Sequence, residues 1–436
     1  MHDIKKILAD VAAANAALAR RGGGQSFDAV AALAQERRAA TREFNDLRAK
    51  QKELSKAFGK RRGGDDAGQT DAATARAQLK ELSGQVKALE ARMKELDEAV
   101  DRALLELPNL PAPQVPDGQS EADNPVVRTW GTPRALDFEP LEHQVLGERL
   151  GILDFPAAAR VSGAGFAVMK GAGARLERAL AAFMLDLHTE RAGYEEVLPP
   201  LLVTREAMTG TGQLPKFEDD AFATTDDLFL IPTAEVPVTN LHRGQLLDEA
   251  DLPVRYAAYS SCFRREKGSY GRETKGLTRL HQFQKVELVK LTTPERSEAE
   301  HEALTRDAEA VLQALGLPYR VVELCAADLG FSARRCYDLE VWLAGQKMWR
   351  EISSCSNFGD FQARRAGLRY RPAGPKAKPR YVHTINGSGL AVGRTVMALL
   401  EYYQRPDGGV DLPEALWPYM GRKSIEPPTP SGPSQP

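Results

Sequence analysis

The sequence predicts an α+β protein in which an antiparallel two-helix coiled-coil arm precedes a body of mixed strands and helices. Two observations support this architecture. Residues 26–107 contain no proline and carry a heptad pattern of apolar residues, whereas short β-rich runs mixed with helical segments follow them. The length of 436 residues is that of two or three domains, and 42% hydrophobic with 27% charged residues is typical of a globular protein.

The second half of the proline-free stretch has the more regular heptad pattern. Its apolar residues alternate in steps of four and three, which indicates a coiled-coil seam. They are Ala75, Leu79, Leu82, Val86, Leu89, Met93, Leu96, Val100, Ala103 and Leu107. The first half is interrupted at Arg37 and Gln51, and the glycine-rich segment 59–72 between the halves would end a helix. We therefore predict two antiparallel helices of about 30 residues each, on the order of 45 Å long.

The charge of the arm is uneven. Residues 20–62 hold twelve Lys or Arg against five Asp or Glu, a net charge of +7. Two interpretations stay open from these residues alone. The arm is either a solvated coiled-coil surface or a basic element that contacts a phosphate backbone.

Prolines divide the chain into four expected segments. The segment LPNLPAPQVPDG ends the second helix, and EPPTPSGPSQP has a composition typical of disorder. We expect the helical arm at residues 1–107, a Pro-rich linker at 108–125, the α+β body at 126–422 and a disordered tail at 423–436.

Whole-chain composition excludes several classes of protein without indicating a function. Lys and Arg number 58 against 60 Asp and Glu, a net charge of −2, so the chain is not uniformly basic. The four cysteines form no CxxC pair, and we expect neither a zinc site nor a disulfide framework. No apolar stretch approaches the length of a membrane span and no signal-peptide pattern is present, so we expect a cytoplasmic protein without membrane association.

Segment 260–290 combines strand-like ends with a charged, glycine-containing loop. Arg264 and Glu266 lie two residues apart at the end of the first predicted strand, and Glu287 lies on the returning strand. An arginine on a sheet face requires a carboxylate or a phosphate partner. Cross-strand salt bridges on an exposed sheet are the alternative to a ligand site.

Two further segments carry polar residues suited to ligand binding. In 349–365, Glu351 and Ser354 offer oxygen donors for a hard cation such as Mg²⁺, although a capping or turn role for the serines is equally compatible. In 380–404, a strand-like YVHTI leads into Asn386–Gly389 and an expected helix from Leu390, with Arg394 near its start.

Several common catalytic motifs are absent from the sequence. There is no P-loop, no HExxH, no GxSxG elbow, and the glycine spacing at 387, 389 and 393 does not fit a Rossmann fingerprint. Arginines, carboxylates and glycines without a clear nucleophile suit phosphoryl or nucleotidyl transfer, where positioning and charge neutralisation provide most of the rate.

These segments together resemble bacterial-type seryl-tRNA synthetases, a family of class II aminoacyl-tRNA synthetases. FRRE with the later RLHQF is similar to class II motif 2, GSGLAVGRT to motif 3, and GYEEVLPPLLV, which contains Pro200, to motif 1. Segments that resemble the seryl branch more specifically are TGTGQLPKF, IPTAEVPVTN, DLEVWLAGQKMWREISSCSNFGDFQARR and HTINGSGLAVGRT. The heptad arm ahead of them matches the same family.

The resemblance implies an antiparallel sheet of six or seven strands flanked by helices, and a homodimer formed through motif 1 around Pro200. It implies a serine–tRNA ligase that forms seryl-adenylate from L-serine and ATP with release of pyrophosphate. The seryl group then passes to the 3′-hydroxyl of tRNA(Ser), and of tRNA(Sec) where it is present. The family grips the long variable arm of serine tRNA with its coiled coil, which favours the phosphate-contacting interpretation of the basic arm.

By motif position, the resemblance also assigns residue roles. The catalytic residues are Arg264, Glu266 and Arg394. ATP is expected to contact Arg264, Arg265, Glu266, Phe283, Glu351, Ile352, Ser353, Ser354 and Arg394. L-serine is expected to contact Thr233, Ala234, Glu235, Arg264, Glu287, Asn386 and Ser388. Mg²⁺ is expected at Glu351 and Ser354. Glu287 and Ser388 would hydrogen-bond the serine hydroxyl and so reject alanine, because alanine would leave buried polar groups unpaired.

The motif 2 loop departs from the usual family pattern at Lys267, Glu273, Lys275 and Thr278. These four positions lie in the part of the loop that the resemblance assigns to tRNA contacts. Two rival functions remain: a paralogue that loads a carrier protein, and a catalytically inactive coiled-coil RNA-binding protein. A resistance duplicate of a housekeeping copy also fits these residues.

Overall fold

The computed structural model describes residues 1–61, 69–267, 275–374 and 376–428. Several predictions fall on residues outside this description. They concern Arg62, the central part of the glycine-rich segment of the arm, Glu273, and residues 429–436 of the expected tail. The chain divides into two compact units. One comprises residues 2–19 and 24–108, and the other comprises Met1, residues 20–23 and the chain from Asn109 onward.

The α-helices of the described residues are unequal in length, with the two longest in the first unit. They are α1 (Ile4–Ala9), α2 (Val11–Ala19), α3 (Asp28–Arg61), α4 (Gln69–Leu105), α5 (His143–Arg149), α6 (Phe155–Ser162), α7 (Ala172–Ala192), α8 (Arg205–Thr211), α9 (Glu235–Asn240), α10 (Ser297–Ala314), α11 (Phe361–Ala366), α12 (Val392–Tyr403) and α13 (Trp417–Met420).

Helices α3 and α4 pack together as an antiparallel hairpin. Arg37 pairs with Asp97 near one end, and the Arg76 guanidinium lies 5.9 Å from the ring centre of Phe58 near the other. The predicted seam residues of α4 from Ala75 to Ala103 are buried or half-buried. The coiled-coil hairpin is thus confirmed, and its helices, of 34 and 37 residues, are longer than the length of about 30 predicted from the repeat.

The strands lie in the second unit. They are β1 (Val126–Trp130), β2 (Leu153–Asp154), β3 (Val168–Met169), β4 (Glu195–Glu196), β5 (Leu202–Thr204), β6 (Phe222–Ala223), β7 (Leu228–Leu230), β8 (Leu246–Asp248), β9 (Val254–Phe263), β10 (Gln282–Thr292), β11 (Tyr319–Glu323), β12 (Arg335–Leu343), β13 (Met348–Gly359), β14 (Arg369–Arg371), β15 (Arg380–Tyr381), β16 (His383–Ala391), β17 (Val410–Asp411) and β18 (Ser424–Ile425).

In the described part of the chain, the main sheet has eight strands in the order β1–β11–β12–β13–β16–β10–β9–β4. All neighbours are antiparallel except the short edge strand β4, which runs parallel to β9. The sheet therefore has the predicted antiparallel character, with one strand more than the largest number expected. Smaller sheets form from β15–β14–β8, β5–β7–β6, β2–β3 and β17–β18.

Strand alternation separates a core face from a polar face in the middle of the sheet. On β10, Val286 and Leu288 join the main core, which also contains residues of α7, α10 and α12. Lys285 and Glu287 point the opposite way, towards a second, smaller core that includes Val289. Two buried polar side chains on this face mark it as the place to look for a ligand site.

Two predicted boundaries were wrong. We expected a helix from Leu390, but β16 continues to Ala391 and α12 begins at Val392, because the hydrogen-bond ladder to β10 runs through the glycines. We also expected the first strand of segment 260–290 to include Arg264, but β9 ends at Phe263. Among the described residues, no helix combines the length and apolar character needed to cross a bilayer.

Candidate active site

A cavity of about 680 Å³ opens on the polar face of the main sheet. Twelve of the fifteen residues assigned to ligands from the sequence line it. These are Thr233, Glu235, Arg264, Glu266, Phe283, Glu287, Glu351, Ile352, Ser354, Asn386, Ser388 and Arg394. Residues more than 150 positions apart in the chain thus meet at one site.

The other three assigned residues have structural contacts instead of a place in the cavity wall. Ala234 is fully buried in the smaller core. The Arg265 guanidinium donates to the Ala221 carbonyl at 2.9 Å, and the Ser353 hydroxyl donates to the Ser388 carbonyl at 2.6 Å. The assignment of these three residues to ligands remains a prediction.

Arg264 and Glu266, in the segment that follows β9, line the cavity. Arg264 donates to the Pro232 carbonyl at 3.3 Å, and its guanidinium carbon lies 5.1 Å from the centre of the Phe283 ring. Glu266 has a φ of 47°, in the left-handed region that non-glycine residues seldom adopt. Its carboxylate pairs with Arg279 at 3.2 Å. This strained backbone is typical of functional sites.

A β-bulge brings the two expected metal ligands to the same face. On a regular strand, residues three apart point to opposite faces of the sheet. Glu351 and Ser354 would therefore lie on opposite faces if β13 were regular. The ladder between β12 and β13 shifts register here: Leu339 pairs with Ser353 and the next residue, Glu340, pairs with Glu351, so the ladder skips Ile352. Both Glu351 and Ser354 consequently line the cavity.

A second bulge lies on β16, in its ladder with β10. Val286 pairs with Leu390 and the next residue, Glu287, pairs with Ser388, so Gly389 has no partner in the ladder with β10. The bulge sets the Ser388 side chain directly opposite Glu287, and both line the cavity. The two groups expected to bind one hydroxyl are therefore neighbours.

Arg394 and Glu351 form a charged pair at one side of the cavity. An Arg394 Nη1 lies 3.4 Å from a carboxylate oxygen of Glu351 and donates to the Glu351 carbonyl at 2.8 Å. Burial raises the pKa of Glu351, but the positive charges of Arg394 and Arg264 outweigh burial and hold the pKa below its ordinary value. The carboxylate is therefore ionised at neutral pH.

The deepest part of the cavity contains two buried carboxylates with polar partners. Glu287 accepts from the Thr233 hydroxyl at 2.9 Å and pairs with Lys285. Glu235 accepts from the Gln362 amide at 2.6 Å. Burial, together with the nearby charge of Glu287, raises the pKa of Glu235 to about 7. This pocket can hydrogen-bond a small polar substrate.

Lys285 and Gln362 are site residues that our sequence analysis missed. Lys285 lies two residues before Glu287 on the same strand, so strand alternation alone could have placed it on the same face. Gln362 reaches the site from α11, a helix that has no sequence signal linking it to the cavity.

The donor set at Glu351 and Ser354 fits a hard divalent cation. The two side chains offer a carboxylate and a hydroxyl, and Mg²⁺ commonly takes one or two protein oxygens while water and phosphate fill its other positions. In the described parts of the chain, no group of three or more His, Cys, Asp or Glu residues is arranged to hold a metal.

Comparisons with known proteins agree with the helical arm and with the fold that carries the cavity. The model of the seryl-tRNA synthetase N-terminal domain matches residues 1–111, and that of the tRNA synthetase class II core domain (G, H, P, S and T) matches residues 216–403. The antiparallel sheet, its polar cavity and the matched core domain together define a class II aminoacyl-tRNA synthetase.

The relatives are more specific. The chain is 54% identical to the serine–tRNA ligase of Pelobacter propionicus over 97% of this chain and 99% of that protein. It is 56% identical to that of Rhizorhabdus wittichii over 97% of this chain and 98% of that protein. The crystal structure of seryl-tRNA synthetase from Pyrococcus horikoshii complexed with ATP matches with a TM-score of 0.94 and 38% identity, covering 98% of this chain and all of that one. The chain belongs to the seryl-tRNA synthetase family.

Proposed function

We propose that the chain is an ATP-dependent serine–tRNA ligase that forms seryl-adenylate and then esterifies the 3′-hydroxyl of tRNA(Ser), and of tRNA(Sec) where it is present. One observation carries the proposal: a single cavity joins the arginines that a triphosphate needs, Arg264 and Arg394, to the Glu287–Ser388 pair that a hydroxyl needs. The names of the relatives and the ATP complex of the Pyrococcus horikoshii structure support it.

In the first step, an oxygen of the serine carboxylate attacks the α-phosphorus and pyrophosphate leaves. Arg264 binds the α-phosphate and the carboxylate, so it neutralises charge that builds on the five-coordinate phosphorus. Arg394 binds the γ-phosphate. Because no side chain forms a covalent bond to substrate, the rate comes from alignment and charge stabilisation.

The nucleotide base is proposed to lie between β10 and the segment that follows β9. Glu266 binds the adenine side and Phe283 stacks on the ring. The remaining assigned ATP contacts are Arg265, Ile352 and Ser353. The Arg264 guanidinium lies over the Phe283 ring, next to the proposed position of the base.

Mg²⁺ is proposed to be held by Glu351 and Ser354, and when bound it supplies positive charge to the phosphate oxygens. Glu351 is kept ionised by Arg394 and Arg264, which suits it to this role.

Serine is proposed to lie in the deep pocket, where Glu287 and Ser388 bind its hydroxyl. Lys285 and Thr233 hold the Glu287 carboxylate in place, so it needs little reorganisation to accept the substrate. The other assigned serine contacts are Ala234, Glu235 and Asn386. Alanine has no hydroxyl and would leave Glu287 and Ser388 without a hydrogen-bond partner. Threonine has the hydroxyl, so the pocket must exclude it because its side chain is larger.

The arm is proposed to bind tRNA through its basic surface. Arg38, Arg42 and Lys52 on α3 are exposed, as a phosphate-binding surface requires. Substitution of all three by alanine should weaken charging of tRNA(Ser) about a hundredfold at physiological salt. The same variant should leave ATP–pyrophosphate exchange unchanged, and unimpaired charging would contradict a role of the arm.

A homodimer through the motif 1 region and a cytoplasmic location complete the proposal. Pro200 is exposed, and the flanking Leu198 and Leu202 are 89% and 44% exposed, an apolar surface that a second copy would cover. Sedimentation of the Leu198→Asp variant should show monomer where the unaltered chain shows dimer.

Amino-acid-dependent ATP–pyrophosphate exchange tests the proposed activation step. Serine should support exchange, whereas alanine should give at least about a thousandfold less because it lacks the hydroxyl. Absence of serine-dependent exchange would refute the proposed function.

A further inference from the structure

A buried histidine outside the predicted site contacts the backbone of the cavity wall. His143 is the first residue of α5 and is 1% exposed. Its Nδ1 lies 2.9 Å from a carboxylate oxygen of Glu401, and its backbone N–H donates to the same oxygen at 3.1 Å. The second oxygen of Glu401 accepts from the N–H groups of Gly345 and Gln346, between β12 and β13, at 2.8 and 3.2 Å. Glu401 thus anchors the imidazole to two other elements.

The other ring nitrogen faces the chain that leads into β10. His143 Nε2 lies 3.1 Å from the backbone N–H of Leu277, which donates to it. Because Leu277 donates to Nε2, that nitrogen carries no proton, and the ring proton lies on Nδ1, which is 2.9 Å from the Glu401 carboxylate and 3.4 Å from the Gln346 amide nitrogen. Glu401 therefore sets the orientation of the imidazole, and the imidazole in turn holds the backbone N–H of Leu277.

The preceding glycine shows how closely the chain approaches the ring. Gly276 has a φ of 66°, and a Cβ built there would lie 2.1 Å from Nε2 of His143. Only glycine combines this backbone conformation with this distance. The backbone at Gly276–Leu277 is consequently pressed against the imidazole.

Residues 277–280 line the cavity directly after this contact. Among them is Arg279, which pairs with Glu266 at 3.2 Å. A shift of Leu277 would be transmitted within two residues to Arg279 and from there to the carboxylate of Glu266. The chain thus continues directly from the imidazole contact at Leu277 into this wall.

We propose that His143 and Glu401 form a positioning pair for the nucleotide subsite: they fix Leu277, and through it the Arg279–Glu266 pair. The inference rests on the proposed function in one respect, the assignment of Glu266 to the adenine side. His143 touches no substrate and acts only through the wall it supports.

Two substitutions separate the contacts of the ring. In His143→Asn, the amide nitrogen takes the position of Nδ1 and keeps a donor for Glu401, but nothing reaches Leu277. In His143→Gln, the amide oxygen takes the position of Nε2 and keeps an acceptor for Leu277, while the Glu401 contact is lost. Each variant loses one buried hydrogen bond, so a purely structural role predicts similar effects from both.

The experiment measures ATP affinity by calorimetry, KM for ATP and for serine in pyrophosphate exchange, and the melting temperature. His143→Asn should raise Kd and KM for ATP about tenfold, the effect of one hydrogen bond, with KM for serine within about twofold. His143→Gln should raise Kd for ATP less, by about threefold, because it keeps the acceptor for Leu277 and loses only the orienting contact to Glu401. The melting temperatures of both should fall by similar amounts.

Gly276→Ala is a second variant that leaves the pair itself intact. It should also raise Kd for ATP, because the added methyl group forces the chain away from the ring. Equal ATP affinities in the two His143 variants, or a normal ATP affinity in Gly276→Ala, would overturn the inference. The proposed function would still stand if the unaltered chain showed serine-dependent exchange. An unaltered chain that binds ATP but shows no serine-dependent exchange would refute the proposed function instead, and the ATP affinities would still decide the inference.

Discussion

Replacement of Arg394 by alanine is expected to abolish most of the activation step. Arg394 is the third residue of α12, lines the cavity and has a 23% exposed side chain. It contacts Glu351 through both the carbonyl and a carboxylate oxygen. The alanine variant therefore removes the proposed γ-phosphate contact together with a charge that keeps Glu351 ionised.

The size of the effect follows from two opposing contributions. A preorganised donor to a developing negative charge is worth about 10²–10³ in rate, and an arginine on a transferring phosphoryl group about 10³–10⁵. The existing contact to Glu351 offsets part of this, because the arginine must share or exchange it when phosphate binds. A loss of about 10³ in kcat/KM, roughly 4 kcal/mol, is expected. Arg394→Lys keeps the charge but not the planar fork, and should lose about 10–100-fold.

The assay is serine-dependent ATP–pyrophosphate exchange, with the melting temperature as a check on folding. Arg306→Ala is the matched control, since this arginine is 73% exposed on α10 and pairs only weakly with Glu302 at the surface. The control should exchange normally. Exchange by Arg394→Ala within about tenfold of the unaltered chain would refute the assigned phosphate contact.

Three other predictions concern the same cavity. Ser388→Ala should raise KM for serine about tenfold without changing KM for ATP, and an equal rise in both would contradict its proposed contact with the hydroxyl. Glu351→Gln should shift the Mg²⁺ concentration for half-maximal exchange upwards about tenfold; an unchanged Mg²⁺ titration would exclude Glu351 as a ligand. The third prediction concerns stability. Because the pKa of Glu235 is raised to about 7 in the folded chain, the unfolded state loses this proton at lower pH, and stability falls as pH rises from about 4.5 to 7. Glu235→Gln should remove roughly 3 kcal/mol of this fall in the free energy of unfolding. The measurement is urea unfolding at pH 5 and at pH 8. An unchanged pH dependence would show that Glu235 does not titrate in this range.

The arm was predictable because its pattern is local. A heptad repeat reports the contact face of a helix within a few turns, and the buried and half-buried residues of α4 follow it. The polar residues of the body also indicated their chemistry directly. Arg264, Glu351 and Arg394 are residue types that bind phosphate or a hard cation, and all three line the cavity.

The geometry of the site was not predictable in the same way, because it depends on strand register. The bulges at Ile352 and Gly389 decide which face Glu351 and Ser388 occupy, and a bulge is set by pairing with strands distant in sequence. The same long-range pairing carries β16 through glycines that locally favour a turn. His143 likewise had no local signal, since its partners lie 134 and 258 residues away.

Aminoacylation of tRNA tests the central claim most directly. The unaltered chain, incubated with ATP, labelled L-serine and a tRNA(Ser) transcript, should yield seryl-tRNA that is lost on mild alkaline hydrolysis, as an ester must be. A transcript ending in 3′-deoxyadenosine should accept no serine. Serine-dependent adenylate formation without charging of the intact transcript would contradict the account and favour transfer to a different acceptor.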